Sequence, residues 1–190
     1  MKKPHLLIIT VILCLVLTGS MSLAKDSGAE SIDEDKQAAK ENSDDATVYF
    51  DRGVDYLKSG MYKEAIESLK HVVRINADAT SHYNLGFVYG RSGMYKEAIE
   101  VYKRAIFINP DYIDAYNYLG KAYGELGMYK EAIEVLKVAI ERDPEHAMSY
   151  YNLGILYNSS NDKDSALEQH EILNGLGFDL ADKLFGLIRK

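Results

Sequence analysis

From Ala46 onward, apolar and small residues recur at helical spacings in paired segments of the chain. The first segment of each pair carries an aromatic residue or His, a Gly four positions later and a Tyr three positions after that, at Tyr49, Gly53 and Tyr56, His82, Gly86 and Tyr89, Tyr116, Gly120 and Tyr123, and Tyr150, Gly154 and Tyr157. Offsets of this size bring residues onto one face of an α-helix. The pattern therefore predicts paired amphipathic helices.

A block of eight residues sets the period of this pattern. The sequence of residues 60–67 recurs unchanged at 93–100 and at 127–134, after 33 and 34 residues. Identity at a fixed period of this length is typical of stacked units. We expect about four units, at 46–78, 79–112, 113–146 and 147–178. They predict an all-α solenoid in which each helix–turn–helix unit packs on the next.

The Gly of each first helix needs a packing reason. A Gly inside a helix costs about 1 kcal/mol relative to Ala. Four alanines occupy one equivalent position on the second helices, at Ala65, Ala98, Ala132 and Ala166. We expect these alanines to lie opposite the glycines, so that two small residues let the paired helix axes approach closely.

The second and third units resemble the tetratricopeptide repeat family. The family's aromatic or His, Leu-Gly, Tyr, Ala, aromatic or Leu, Ala and Pro signature is present at His82, Leu85, Gly86, Tyr89, Ala98, Tyr102, Ala105 and Pro110, and at Tyr116, Leu119, Gly120, Tyr123, Ala132, Leu136, Ala139 and Pro144. The match extends over residues 46 to about 179, with departures in the first and fourth units. The resemblance implies a curved superhelix that presents a surface to a protein or peptide partner.

The C-terminal residues 179–190 continue with helical spacing. Leu180, Leu184, Leu187 and Ile188 share one face of this segment. The end unit of a stack exposes apolar surface unless something covers it. We therefore predict a C-terminal capping helix on the fourth unit.

The resemblance also selects the residues that line the concave groove. By position these are Phe50, Asp51, Val54, Leu57, Tyr83, Asn84, Phe87, Asn117, Tyr118, Lys121, Tyr151, Asn152 and Ile155. Aromatic side chains give contact area at low entropy cost, and Asn amides can pair with a peptide backbone. We interpret Phe50, Val54 and the residues from Tyr83 onward as a binding surface for a peptide or protein segment. Alternatively, they cover a groove or contact a neighbouring copy.

A carboxylate clamp of the kind found in some family members is disfavoured. Such clamps use Lys or Arg with Asn at set groove positions. Phe50 and Val54 occupy two of those places, and Asp114 and Tyr118 occupy two others. Only Asn84 agrees with the clamp pattern.

Charge and candidate chemistry exclude several classes of function. The chain has a formal net charge of −7 and no basic stripe, so nucleic acid is a poor candidate partner. No pair of its five His residues has helical ligand spacing with a carboxylate, and no Gly spacing matches a phosphate-binding loop. The sequence predicts no metal site, no cofactor and no catalytic activity.

The N-terminal residues 1–24 have the pattern of a signal peptide. Lys2 and Lys3 precede an apolar run from Leu6 to Leu17, and Ser22-Leu23-Ala24 fits a cleavage site. The run is short for a spanning helix, which needs about 20 residues, so we expect membrane attachment only if the segment is retained. Residues 25–45 hold eight Asp and Glu against three Lys and predict a flexible acidic linker.

These features together predict an exported protein, periplasmic or secreted. We expect a non-enzymatic interaction scaffold or adaptor of the cell envelope that binds a peptide or partner protein in its groove. The alternative is a structural protein that self-assembles into homo-oligomers.

Overall fold

The computed structural model describes residues 45–189, and this part of the chain is helical without strands. The helices are α1 (45–58), α2 (Tyr62–Ile75), α3 (Ala79–Arg91), α4 (Tyr95–Ile108), α5 (Ile113–Glu125), α6 (Tyr129–Arg142), α7 (Ala147–Ser159), α8 (Lys163–Gly175) and α9 (Leu180–Ile188). By internal contacts the chain divides into Met1–Asp45 and Ala46–Lys190, and the helical repeats form the second unit. The predicted signal peptide and residues 25–44 of the predicted linker lie outside the described residues.

The helices form two layers. From α2 to α9 each helix packs against the next one along the chain. The first helices of successive units also contact one another, α3 with α5 and α5 with α7, whereas no comparable contact joins the second helices α2, α4, α6 and α8 of the described region. Because the first helices lie closer together than the second helices, the stack curves and the first helices line its inner side. The predicted all-α solenoid is confirmed, with α3, α5 and α7 on its concave side.

A left-handed Gly separates the two helices of each of the first three units. Gly60, Gly93 and Gly127 have φ values of 72°, 80° and 72°. A side chain beyond Gly is disfavoured in this conformation, and Gly is the common residue after a helix end. The repeated turn explains why these positions are fixed in the eight-residue block.

The main contact of each Gly is a large side chain of the second helix, and at Gly120 the predicted Ala132 also lies close, with its carbonyl oxygen 3.4 Å from an ideal Cβ. An ideal Cβ on Gly86 would lie 2.6 Å from the Tyr102 ring, and one on Gly120 would lie 2.8 Å from Leu136. The missing side chain of each Gly therefore leaves a space that a large side chain of the second helix fills. The alanines, such as Ala98, are fully buried in the same core but are not the groups that fill this space. The helices interlock by a large residue meeting a small one.

The predicted capping helix is present as α9, which packs against α7 and α8. Leu184 is fully buried and occupies the space beside Gly154, where an added Cβ would overlap it. His170 stands where Tyr102 and Leu136 stand in earlier units. Its Nδ1 instead lies 3.1 Å from the Ala181 carbonyl oxygen, and its ring stacks on Phe185 at 4.8 Å. In the last unit, α9 thus supplies the side chain that the second helix supplies elsewhere.

Candidate protein-interaction groove

The concave side is built from helices with few charges. Helix α7 has no charged residue, and α3 has only Arg91. Helix α5 adds Asp114, Lys121 and Glu125. The outer helix α4 alone carries five charged residues. Since charged residues are depleted at the centre of protein interfaces, the inner layer is the surface that better suits a partner.

Aromatic residues of three helices and one loop form a connected cluster on this side. The Tyr83 ring centroid lies 6.0 Å from that of Tyr102, 5.0 Å from Tyr112 and 5.6 Å from Tyr118. Phe87 meets Tyr118 edge to face at 5.4 Å. Ring pairs at such distances contribute about 0.5–1.5 kcal/mol each beyond their buried area. The aromatic cluster, these five residues, is therefore a well-packed wall.

The hydroxyl groups of Tyr83 and Tyr102 stay neutral. Burial raises the pKa of Tyr83 well above its usual value, and the neighbouring Tyr118 adds to this effect. Burial likewise raises the pKa of Tyr102. These two hydroxyl groups can therefore exchange hydrogen bonds with a ligand without carrying charge at physiological pH.

Two cavities open next to each other along the inner helices. The first, the aromatic pocket, has a volume of about 260 Å³ and is lined by Phe87, Gly90, Arg91, Tyr95, Tyr102, Tyr118, Lys121, Ala122 and Glu125. The second, the broad pocket, has a volume of about 520 Å³ and is lined by Lys121, Gly124, Glu125, Tyr129, Met148, Tyr151, Asn152, Ile155, Leu156 and Ser159. Lys121 and Glu125 border both, so α5 separates two adjacent recesses.

The structure brings most of the predicted groove residues of α3, α5 and α7 to these pockets. Phe87, Tyr118, Lys121, Tyr151, Asn152 and Ile155 line one or both of them. Tyr83 is half-buried within the aromatic cluster rather than in a pocket lining. Phe50 of α1 packs against the hydrophobic core, and Val54 and Asn84 are partly buried outside both linings.

Asn117 does not belong to the accessible surface, and its predicted role is corrected. It is 2% exposed. Its Nδ2 donates to Ser149 Oγ at 2.9 Å and to the Ile113 carbonyl at 3.1 Å, and its Oδ1 accepts from Asn152 Nδ2 at 3.1 Å. The amide therefore joins α5 to α7. An Asn at the register of Tyr83 and Tyr151 is too short to extend past the neighbouring helix, so it is satisfied inside the junction.

The sequence reasoning missed the small residues of the pocket linings. Gly90 and Ala122 form part of the aromatic pocket, and Gly124 forms part of the broad one. A comparison of equivalent positions across the units could have identified them, because small residues in a lining leave space. Arg91 and Glu125, at the helix ends, were also missed as charged residues of the lining.

Family models for the "TPR repeat" and the "Tetratricopeptide repeat" match residues 46–78, 91–127, 113–146 and 135–168. The chain belongs to the tetratricopeptide repeat family. Proteins built from tetratricopeptide repeats generally act as non-enzymatic scaffolds for protein–protein interaction, and this chain has the same fold. No match to a curated protein was found.

Solved tetratricopeptide repeat structures align with this one over most of its length. A crystal structure of MamA protein aligns with a TM-score of 0.65 and 29% identity, covering 77% of this chain and 81% of the other. YrrB, described as a TPR protein with an unusual peptide-binding site, aligns with a TM-score of 0.65 and 27% identity, covering 83% and 86%. A thermophilic TPR protein from Thermus thermophilus is 22% identical with a TM-score of 0.63, covering 74% and 81%, and shows the shared fold alone.

Two further features are absent from residues 45–189. No helix there is both long enough and apolar enough to cross a bilayer. No group of three or more His, Cys, Asp and Glu side chains in the same region is arranged to hold a metal ion.

Proposed function

We propose that this tetratricopeptide repeat protein is an adaptor of the cell envelope that holds a segment of a partner protein in its concave groove. The observation that carries the proposal is the pair of adjacent pockets between α3, α5 and α7. Their linings combine aromatic and aliphatic side chains with a few polar groups, which is the usual composition of a binding site. The location in the envelope rests on the signal pattern of residues 1–24.

The rigidity of the wall supports this function. A binding surface that is already ordered loses little side-chain freedom when a partner docks. Tyr83, Phe87 and Tyr118 are held by mutual ring contacts and by Tyr102 beneath them. The description of YrrB as having a peptide-binding site supports the same use of a related array.

Site-specific crosslinking tests the groove. A photo-reactive residue replaces Tyr151, which lines the broad pocket, and in a matched variant it replaces Lys137, which is exposed on the outer helix α6. We expect a discrete crosslinked partner with the first variant and none with the second. Equal crosslinking at both positions, or none at Tyr151, would contradict groove binding. Fractionation tests the location, and a mature protein retained in the cytoplasm would contradict export.

Self-assembly is the second candidate function. Leu176, Phe178 and Leu187 at the C-terminal end of the array are 41%, 40% and 37% exposed. Exposed apolar residues of this size favour an interface. Light scattering on the wild type and on Phe178→Ser distinguishes the two functions. A mass that grows with concentration and falls in the variant would support assembly, and a monomer at all concentrations would exclude it.

A further inference from the structure

The aromatic pocket lies at the junction between the second and third units, and its lining includes two small residues. Gly90 of α3 and Ala122 of α5 both line it. One junction later the equivalent residues are Gly124 and Leu156. There the Leu156 Cδ2 lies 2.6 Å from an ideal Cβ on Gly124, so the leucine occupies the space directly beside this Gly, while both residues also line the broad pocket. An added Cβ on Gly90 would find only the Tyr102 hydroxyl, at 3.9 Å.

The Tyr102 hydroxyl offers an unused hydrogen-bonding group to this pocket. Tyr102 is 1% exposed, and its ring lies under Gly86. Its hydroxyl has no hydrogen-bond partner among residues 45–189. Within that same region no fully enclosed side-chain oxygen or nitrogen lacks a partner, so this hydroxyl must be open to the pocket. A buried polar group of this kind gains when a ligand supplies the missing partner.

The walls and the charged lining residues restrict the side chain that can enter. Phe87 and Tyr118 stand edge to face at 5.4 Å and present aromatic surface. Arg91, Lys121 and Glu125 are exposed, and none of them forms an ion pair with another described residue. The two positive charges of Arg91 and Lys121 outweigh the one negative charge of Glu125, which disfavours a cationic side chain in the pocket.

The size of the pocket suits one aromatic ring with a polar end. Its volume is about 260 Å³. An engineered apolar cavity of about 150 Å³ is enough to bind benzene. The aromatic pocket can therefore take a phenol ring together with part of its side-chain stem.

We infer that the aromatic pocket receives one tyrosine side chain of the bound partner segment. The phenol ring packs against the aromatic surface of Phe87 and Tyr118, and its hydroxyl exchanges a hydrogen bond with the hydroxyl of Tyr102. This inference rests on the proposed function, because it assigns the kind of residue that the groove recognises. The broad pocket, beyond Lys121 and Glu125, accommodates the next part of the segment.

Amino-acid amides test the pocket without knowledge of the partner. N-acetyl-tyrosinamide, N-acetyl-phenylalaninamide and N-acetyl-argininamide are titrated into the protein, and the amide resonances of Gly90 and Ala122 are followed by NMR. We expect saturable shifts with the tyrosine compound at a Kd on the order of 1 mM, which corresponds to a weak single-side-chain contact. The phenylalanine compound should bind about five- to tenfold more weakly, the factor for one net hydrogen bond. The arginine compound should leave both resonances in place.

Three variants separate the pocket from the rest of the protein. Ala122→Leu introduces the residue found at the next junction and should abolish the shifts with the fold retained by circular dichroism. Tyr102→Phe should make the tyrosine and phenylalanine compounds bind equally. Lys137→Ala, on the outer helix α6 and outside both pocket linings, is the control and should leave the Kd unchanged.

Several outcomes would overturn the inference. These are equal binding of the tyrosine and phenylalanine compounds to the wild type, unchanged tyrosine preference in Tyr102→Phe, or full binding by a folded Ala122→Leu protein. If Ala122→Leu does not fold, the Tyr102→Phe comparison decides alone. Crosslinking at Tyr151 reports on the groove separately. A partner captured there without any tyrosine preference would refute the pocket and leave the proposed function standing, and tyrosine binding without a captured partner would refute the proposed function.

Discussion

Replacing Gly86 by Ala tests whether large residues in small holes hold each unit together. The new Cβ would lie 2.6 Å from Cε1, 2.8 Å from Cδ1 and 3.0 Å from Cζ of Tyr102. Tyr102 is 1% exposed, so its ring is enclosed apart from the side that lines the aromatic pocket. Overpacking of a core costs about 1–3 kcal/mol, and Ala regains about 1 kcal/mol of helix propensity over Gly.

Gly90→Ala is the matched control, four residues further along the same helix. Its Cβ would meet only one atom, the Tyr102 hydroxyl oxygen at 3.9 Å, which is an ordinary contact. The propensity gain is the same in both variants, so the overpacking remains as the difference. We expect the free energy of unfolding of Gly86→Ala to be lower than that of Gly90→Ala by about 1–3 kcal/mol.

Urea unfolding followed by far-ultraviolet circular dichroism measures both variants. A double variant with Tyr102→Ala completes the test, since removal of the ring should cancel most of the cost of the new methyl group. A coupling free energy of about 0.5–3 kcal/mol between the two positions is expected for residues in direct contact. Equal stability of Gly86→Ala and Gly90→Ala, or a coupling near zero, would refute this account of the packing.

Three further predictions follow from other parts of the structure. Leu184→Ala should lower the free energy of unfolding by about 2–5 kcal/mol, because a fully buried Leu is lost beside Gly154; a thermal melt within error of the wild type would contradict the role of α9 as a cap. Asn117→Ala should cost about 1–3 kcal/mol and lower hydrogen-exchange protection in α7, because Asn152 loses its partner and Ser149 loses one of two; unchanged protection would contradict the junction. Because the pKa of Tyr102 is raised in the folded state, its hydroxyl stays protonated at a pH where the same hydroxyl in the unfolded state has lost its proton. The free energy of unfolding is therefore unaffected by this group below a pH of about 10 and falls above it. Tyr102→Phe should weaken this alkaline loss of stability, as measured by urea titrations between neutral and high pH, and an unchanged pH dependence would contradict burial as the cause.

The helical register could be predicted from the sequence because three identical blocks fix the turns. Once Gly60, Gly93 and Gly127 are aligned, the inner and outer faces of the helices follow from a period of 3.6 residues. The capping helix also follows, because the apolar face of residues 179–190 has no other surface to cover. These features depend on local spacing and on burial, and both can be read along the chain.

The contacts inside the stack depend on side-chain reach, which spacing does not give. Gly86 and Ala98 were expected to meet because both are small, but Tyr102 is the residue long enough to fill the hole. Asn117 shares a register with Tyr83, and only its shorter length turns it into a buried link between α5 and α7. The aromatic pocket arises where Gly90 and Ala122 provide no large side chain to fill the space. Such a space becomes visible only when the partner of each small residue is known.

The end of the array constrains how such a protein can evolve in length. Gly154 is already filled by Leu184, so a unit duplicated after α8 would have to displace α9 before it could dock. Duplication between the identical hairpins faces no such obstacle, because no capping helix lies between them. A longer descendant would gain its new unit internally, and the two residues at the new junction would decide whether the groove gained another recess or a closed seam.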